Sequence, residues 1–72
     1  MKYYIAEGPL EEHGYQWIYS YYKVYPDCHA EATRFYSDGR VVNDTIRHFS
    51  AIFISHYCKE ITVEEYESML EL

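Results

Sequence analysis

Apolar and polar positions change parity several times along this chain, and the changes mark its elements. Residues 2–7 alternate, with Tyr3 and Ile5 on one side and Tyr4 on the other, which predicts a short first strand. Gly8-Pro9 breaks it, and 10–14 (Leu-Glu-Glu-His-Gly) reads as a polar connection or a single helical turn. The next run, 15–25, packs Trp17 and five tyrosines into one segment with no acidic residue. Aromatic and β-branched side chains suit a pleated surface, so this is a strand. One parity carries Tyr15, Trp17, Tyr19, Tyr21 and Tyr25; the other carries Ile18, Tyr22 and Val24. Pro26-Asp27 ends it as a turn pair.

Residues 29–36 and 40–47 flank Ser37-Asp38-Gly39, and Asp-Gly is a strong hairpin signal. A two-residue loop pairs Tyr36 with Val41 and Phe35 with Val42. Phe35, Val42 and Ile46 then share a face, opposite Ala30, Ala32, Arg34, Asn43 and Arg47. A three-residue loop with a bulge at Gly39 shifts that register. Segment 48–57 fits two periods: Phe49, Ile52, Phe53 and His56 make a helical stripe, whereas Phe49, Ala51, Phe53 and Tyr57 alternate. Its β-branched and aromatic content favours extended structure. The last segment is a helix. Thr62-Val63-Glu64-Glu65 matches a capping box, Ile61 and Tyr66 match a hydrophobic staple, and Val63, Tyr66, Met69 and Leu70 form the stripe.

Together these elements predict an α+β fold in one domain, 1–72. It is a small antiparallel sheet of four to five strands with one C-terminal helix packed on one face. The other face stays partly open, and tyrosines are its natural occupants. Seventy-two residues sit near the lower limit for a self-sufficient core and leave no room for a cleft between lobes.

Charge and composition sharpen the picture. Twelve acids against six bases give a net charge of −6. That disfavours direct contact with nucleic acid or an anionic membrane and suits a basic surface on another protein. Aromatics reach 19% of the chain, with ten tyrosines, more than a small core is expected to hide. Tyrosine offers large contact area at low entropy cost and is enriched at interfaces. The opening residues lack the apolar core of a signal peptide, no run approaches membrane-spanning length, and two cysteines are too few for a disulfide scaffold. The expected location is cytoplasmic.

Candidate chemistry is sparse, and no enzyme or cofactor is expected. Cys28, His29, His56 and Cys58 are zinc-ligand types. Adjacent Cys28 and His29 point to opposite sides of a strand, however, and no C-x₂-C knuckle is present. No nucleophile has an orienting group, and the three glycines are scattered. Two binding readings remain. In the first, Tyr15, Trp17, Tyr19, Tyr21 and Tyr25 act as anchors, while Glu64, Glu65 and Glu67 steer toward a basic, nucleic-acid-handling partner. Anti-defence inhibitors of phages and mobile elements share this size and charge, which is an analogy of type. In the second, aromatic stacking with Arg34, Arg47 and His48 holds a small planar ligand such as a nucleotide in an oligomeric sponge. A homodimer through the aromatic strand is compatible with either.

Overall fold

The computed structural model describes the backbone of residues 1–12 and 15–70, and the side chains of 1–7 and 17–70. The elements run β1 (Lys2–Glu12), β2 (Tyr15–Val24), β3 (Ala30–Tyr36), β4 (Val41–Ile46), α1 (Ala51–Tyr57), β5 (Cys58–Ile61) and α2 (Val63–Leu70). The strands form one antiparallel sheet in the order β4-β3-β2-β1-β5. The expected α+β class, antiparallel sheet and C-terminal helix are all present.

Four local expectations need correction, each for a physical reason. First, β1 does not stop at Gly8-Pro9 but runs on to Glu12, with a register shift between Glu7 and Leu10. On its far side β5 pairs only with Tyr3–Ala6. Pro9 therefore lies on an open edge, where its missing N–H costs no ladder bond.

Second, β2 does not keep one parity. Against β3 its register shifts between Trp17 and Tyr19, so Ile18 is an extra residue. This bulge turns Trp17 onto the side of Tyr22 and away from Tyr19 and Tyr21. Trp17 is 3% exposed and packs with Ala6, Tyr22, Ala30, Ala32 and Phe49.

Third, residues 51–57 are helical; only 58–61 are extended. The Ser50 hydroxyl accepts from the amides of Ile52 and Phe53 at 3.2 and 3.4 Å, an N-cap. Phe49, Phe53 and Ile54 face the core, while Ile52 and His56 point outward. Consequently a helix lies on each sheet face: α1 over the Trp17 and Tyr22 side, α2 over Tyr3. The face expected to stay open is partly covered.

Fourth, the β3–β4 loop has three residues. Tyr36 N–H donates to the Arg40 carbonyl (2.9 Å), Gly39 N–H donates to the Tyr36 carbonyl (3.0 Å), and Gly39 has φ +90°. Phe35 therefore pairs with Val41, and Val42 and Ile46 join Ala30, Ala32 and Arg34. A one-residue slip reverses every side chain of the strand.

The β2–β3 turn repeats this design. Tyr25 N–H donates to the His29 carbonyl (2.9 Å), Cys28 N–H donates to the Tyr25 carbonyl (3.0 Å), and Cys28 has φ +72°. In both turns an aspartate carboxylate accepts from the amide two residues on, Asp27 from His29 and Asp38 from Arg40. These bonds hold both carboxyls below their ordinary range. In both, the closing residue lies on the opening tyrosine: His29 stacks on Tyr25 at 4.1 Å, and Arg40 sits 4.8 Å over Tyr36. The sequences Tyr-Pro-Asp-Cys-His and Tyr-Ser-Asp-Gly-Arg thus encode one turn, with cysteine in the left-handed place that glycine fills in its twin. A left-handed non-glycine residue costs on the order of 1 kcal/mol. Cys28→Gly is therefore expected to raise stability by about 0.5 kcal/mol, after the added freedom of the unfolded chain. A Cβ at Gly39 meets nothing within 4 Å, so Gly39→Ala is expected to lose about 1 kcal/mol through backbone strain alone. Urea unfolding reads both, and shifts of the same sign would reject the equivalence.

Candidate functional site

The α2 face carries the surface best suited to a partner. α2 starts at the expected capping box. The Thr62 hydroxyl accepts from Glu65 N–H (3.1 Å), and the Glu65 carboxylate accepts from Thr62 N–H (3.4 Å). Glu65 is thereby committed to the cap, whereas Glu64 and Glu67 remain exposed. Tyr66, the buried residue of this helix, rests on Tyr3 with ring centroids 4.8 Å apart. Burial pushes its hydroxyl pKa up, with the Glu31 carboxylate adding to the effect.

From that anchor α2 extends toward β3 and β4 and leaves a groove beside β4. One end, about 270 Å³, is lined by Thr33, Phe35, Val41, Asn43, Met69 and Leu70. Val41 is 54% exposed, and Met69 and Leu70 are also open to solvent. Tyr19 pairs with Phe35 on the same face and continues this apolar end. The groove runs on into a wider section of about 550 Å³, reaching Tyr66, Glu31, Asp44 and Thr45. There Glu31 accepts from the Tyr25 hydroxyl (2.8 Å), whereas the Asp44 carboxylate turns to the α1 face, accepting from Thr45 N–H (2.8 Å) and pairing with Arg34 (3.4 Å). The groove is therefore apolar at one end and carboxylate-bearing at the other.

The aromatic residues expected to meet a partner are dispersed. Tyr15 has its backbone in β2, and its side chain lies outside the described residues. Trp17 belongs to the core of the α1 face. Tyr21 is on the α2 face but only 3% exposed, edge-on to Phe35 at 5.8 Å. Burial, then Tyr19 and Glu7, raise its pKa. Tyr25 is half-buried in the β2–β3 turn, and among the described side chains of the set Tyr19 alone is open to solvent. Phe35, Val41, Met69 and Leu70 were absent from the sequence-based set. The two-residue loop put Val41 on the wrong face, and Met69 and Leu70 read as buried stripe.

Of the second set, Arg34 lies on the α1 face with its side chain 12% exposed. His48 shares a concavity with it, and Arg47 is exposed outside that lining. The zinc-type residues are not brought together. Cys28-His29 precedes β3 and His56-x-Cys58 leads into β5, with β2 and β1 between them. Burial pushes the Cys58 thiol up to about 11, so it stays protonated at neutral pH. Among the described residues no group of three or more His, Cys, Asp or Glu could hold a metal ion. Among them, too, no helix is long and apolar enough to cross a membrane. No protein-family model, curated protein or solved structure matches this chain.

Proposed function

We propose that this chain is a non-enzymatic protein-binding module. It docks a basic, apolar-tipped segment of a partner into the groove between α2 and β4, and so occludes a surface with which the partner handles nucleic acid. The observation that carries this reading is the groove's polarity: Phe35, Val41, Met69 and Leu70 at one end, Glu31 at the other. An apolar side chain of the partner fills the first part and provides most of the affinity. A neighbouring Lys or Arg meets the Glu31 carboxylate, while Glu64 and Glu67 on the helix steer the approach. Inhibition of a bacterial defence protein by a phage or mobile element is the setting we propose, as one in which a small acidic plug has a use.

Co-purification from a bacterial lysate, followed by competition between the recovered protein and nucleic acid, tests this. The expected companion is one basic, nucleic-acid-binding protein that this chain displaces from its nucleic acid. Glu64→Lys/Glu67→Lys is then expected to weaken association by about tenfold at low salt and to flatten its salt dependence. Glu65 is left alone, because its loss opens the helix cap. Unchanged affinity and salt slope would remove the steering role.

A further inference from the structure

The opposite face holds a second, chemically different concavity, of about 240 Å³. Its base is aromatic: Tyr22 and Phe49 have centroids 4.6 Å apart, and Phe53 stands 5.7 Å from Phe49. Arg34 and His48 supply its polar edge. Arg34 reaches it from β3 with its side chain largely enclosed and one Nη1–H directed at Asp44 over a long 3.4 Å. A guanidinium has five donors in a planar fork. The volume falls below the roughly 300–1,000 Å³ of sites for larger ligands, so the fit is to a single ring.

We propose that this concavity binds a small planar aromatic anion. The ring lies against Phe49 and Phe53, and the carboxylate or phosphate meets Arg34 and His48. Asp44 competes for the same guanidinium, so it tunes affinity from outside the concavity. This site stands on the α1 face and does not depend on the groove beside α2.

The test is titration of the full chain, followed by NMR of backbone amides, with two single-ring probes that separate the anion sources: benzoate for a carboxylate and phenyl phosphate for a phosphate. Benzamide and phenol serve as uncharged controls. At least one anion is expected to saturate within about 5 mM, with shifts centred on Ile46, His48, Phe49 and Phe53 and a control at least about tenfold weaker. Asp44→Asn is expected to tighten binding about threefold and His48→Ala to weaken it about threefold, while Glu64→Gln, on the other face, changes nothing. Arg34→Gln is expected to abolish binding in a folded protein; if that variant fails to fold, the Asp44 and His48 variants decide. No saturation by either anion, shifts spread over the surface, equal binding of the neutral controls, or indifference to both Asp44→Asn and His48→Ala would overturn the proposal.

Discussion

Trp17→Ala is expected to unfold the protein or nearly so, whereas Ile18→Ala is expected to stay within about 0.5 kcal/mol of the parent. The side chain at 18 is exposed and contributes little. The indole one residue earlier is 3% exposed and packs with Tyr22 and Phe49 on the α1 face, where the bulge places it. Under strict alternation from Tyr19 it would point toward α2 and leave its place in the core empty. Loss of a buried tryptophan costs roughly 3–5 kcal/mol. A domain of this length has on the order of 4–11 kcal/mol in total. Far-UV circular dichroism and the urea midpoint read the difference between the two variants. A Trp17→Ala variant as stable as Ile18→Ala would show that the indole does not anchor the core.

Tyr66→Ala is the second large effect, expected at about 3 kcal/mol. Tyr66 is 7% exposed and anchors α2 on Tyr3, whereas Val63, Met69 and Leu70 are open to solvent. Eight residues are too few to hold a helix in water by propensity alone, so α2 persists because this ring is seated. Removing it frees one wall of the groove without altering the net charge. Amide exchange along α2 should accelerate, and capture of the basic partner should be lost. Tyr66→Phe keeps the ring and is expected to cost no more than about 1 kcal/mol. Slow exchange along α2 in the alanine variant would place the anchor elsewhere.

Legibility in the sequence followed the range of the interactions involved. The aromatic strand, the hairpin and the capping box of α2 were readable, because composition and side-chain-to-backbone bonds act over a few residues. Thr62 and Glu65 make both bonds that their spacing implies. What escaped depended on partners distant in the chain or on small shifts of register. Pro9 is compatible with a strand because it falls in the register shift against β2 and beyond the stretch of β1 that β5 covers, the latter set by residues about fifty positions away. Helix α1 hid behind two competing periods, and the deciding Ser50 cap is a single hydroxyl. The groove itself was invisible because one added loop residue exchanges the faces of Val41 and Val42. The Asp-Gly pair marks the hairpin and does not choose between its two loop lengths. Its twin at Pro26-Asp27 lacks the glycine that advertises the motif.

The pairing of Tyr3 with Ile61 has a bearing on when the molecule becomes competent. Meander β2-β3-β4 needs only neighbouring segments and tight turns, so it can form early. By contrast, β5 docks on β1 only after a loop of nearly the whole chain has closed, which is entropically costly and slow. Tyr66 rides on that late seam, since its seat is Tyr3. A chain paused with the meander alone would thus already hold both tyrosine-aspartate turns and the Arg34–Asp44 pair, yet would display no receptor for a partner. Maturation and readiness to bind coincide, and neither can be had from a fragment.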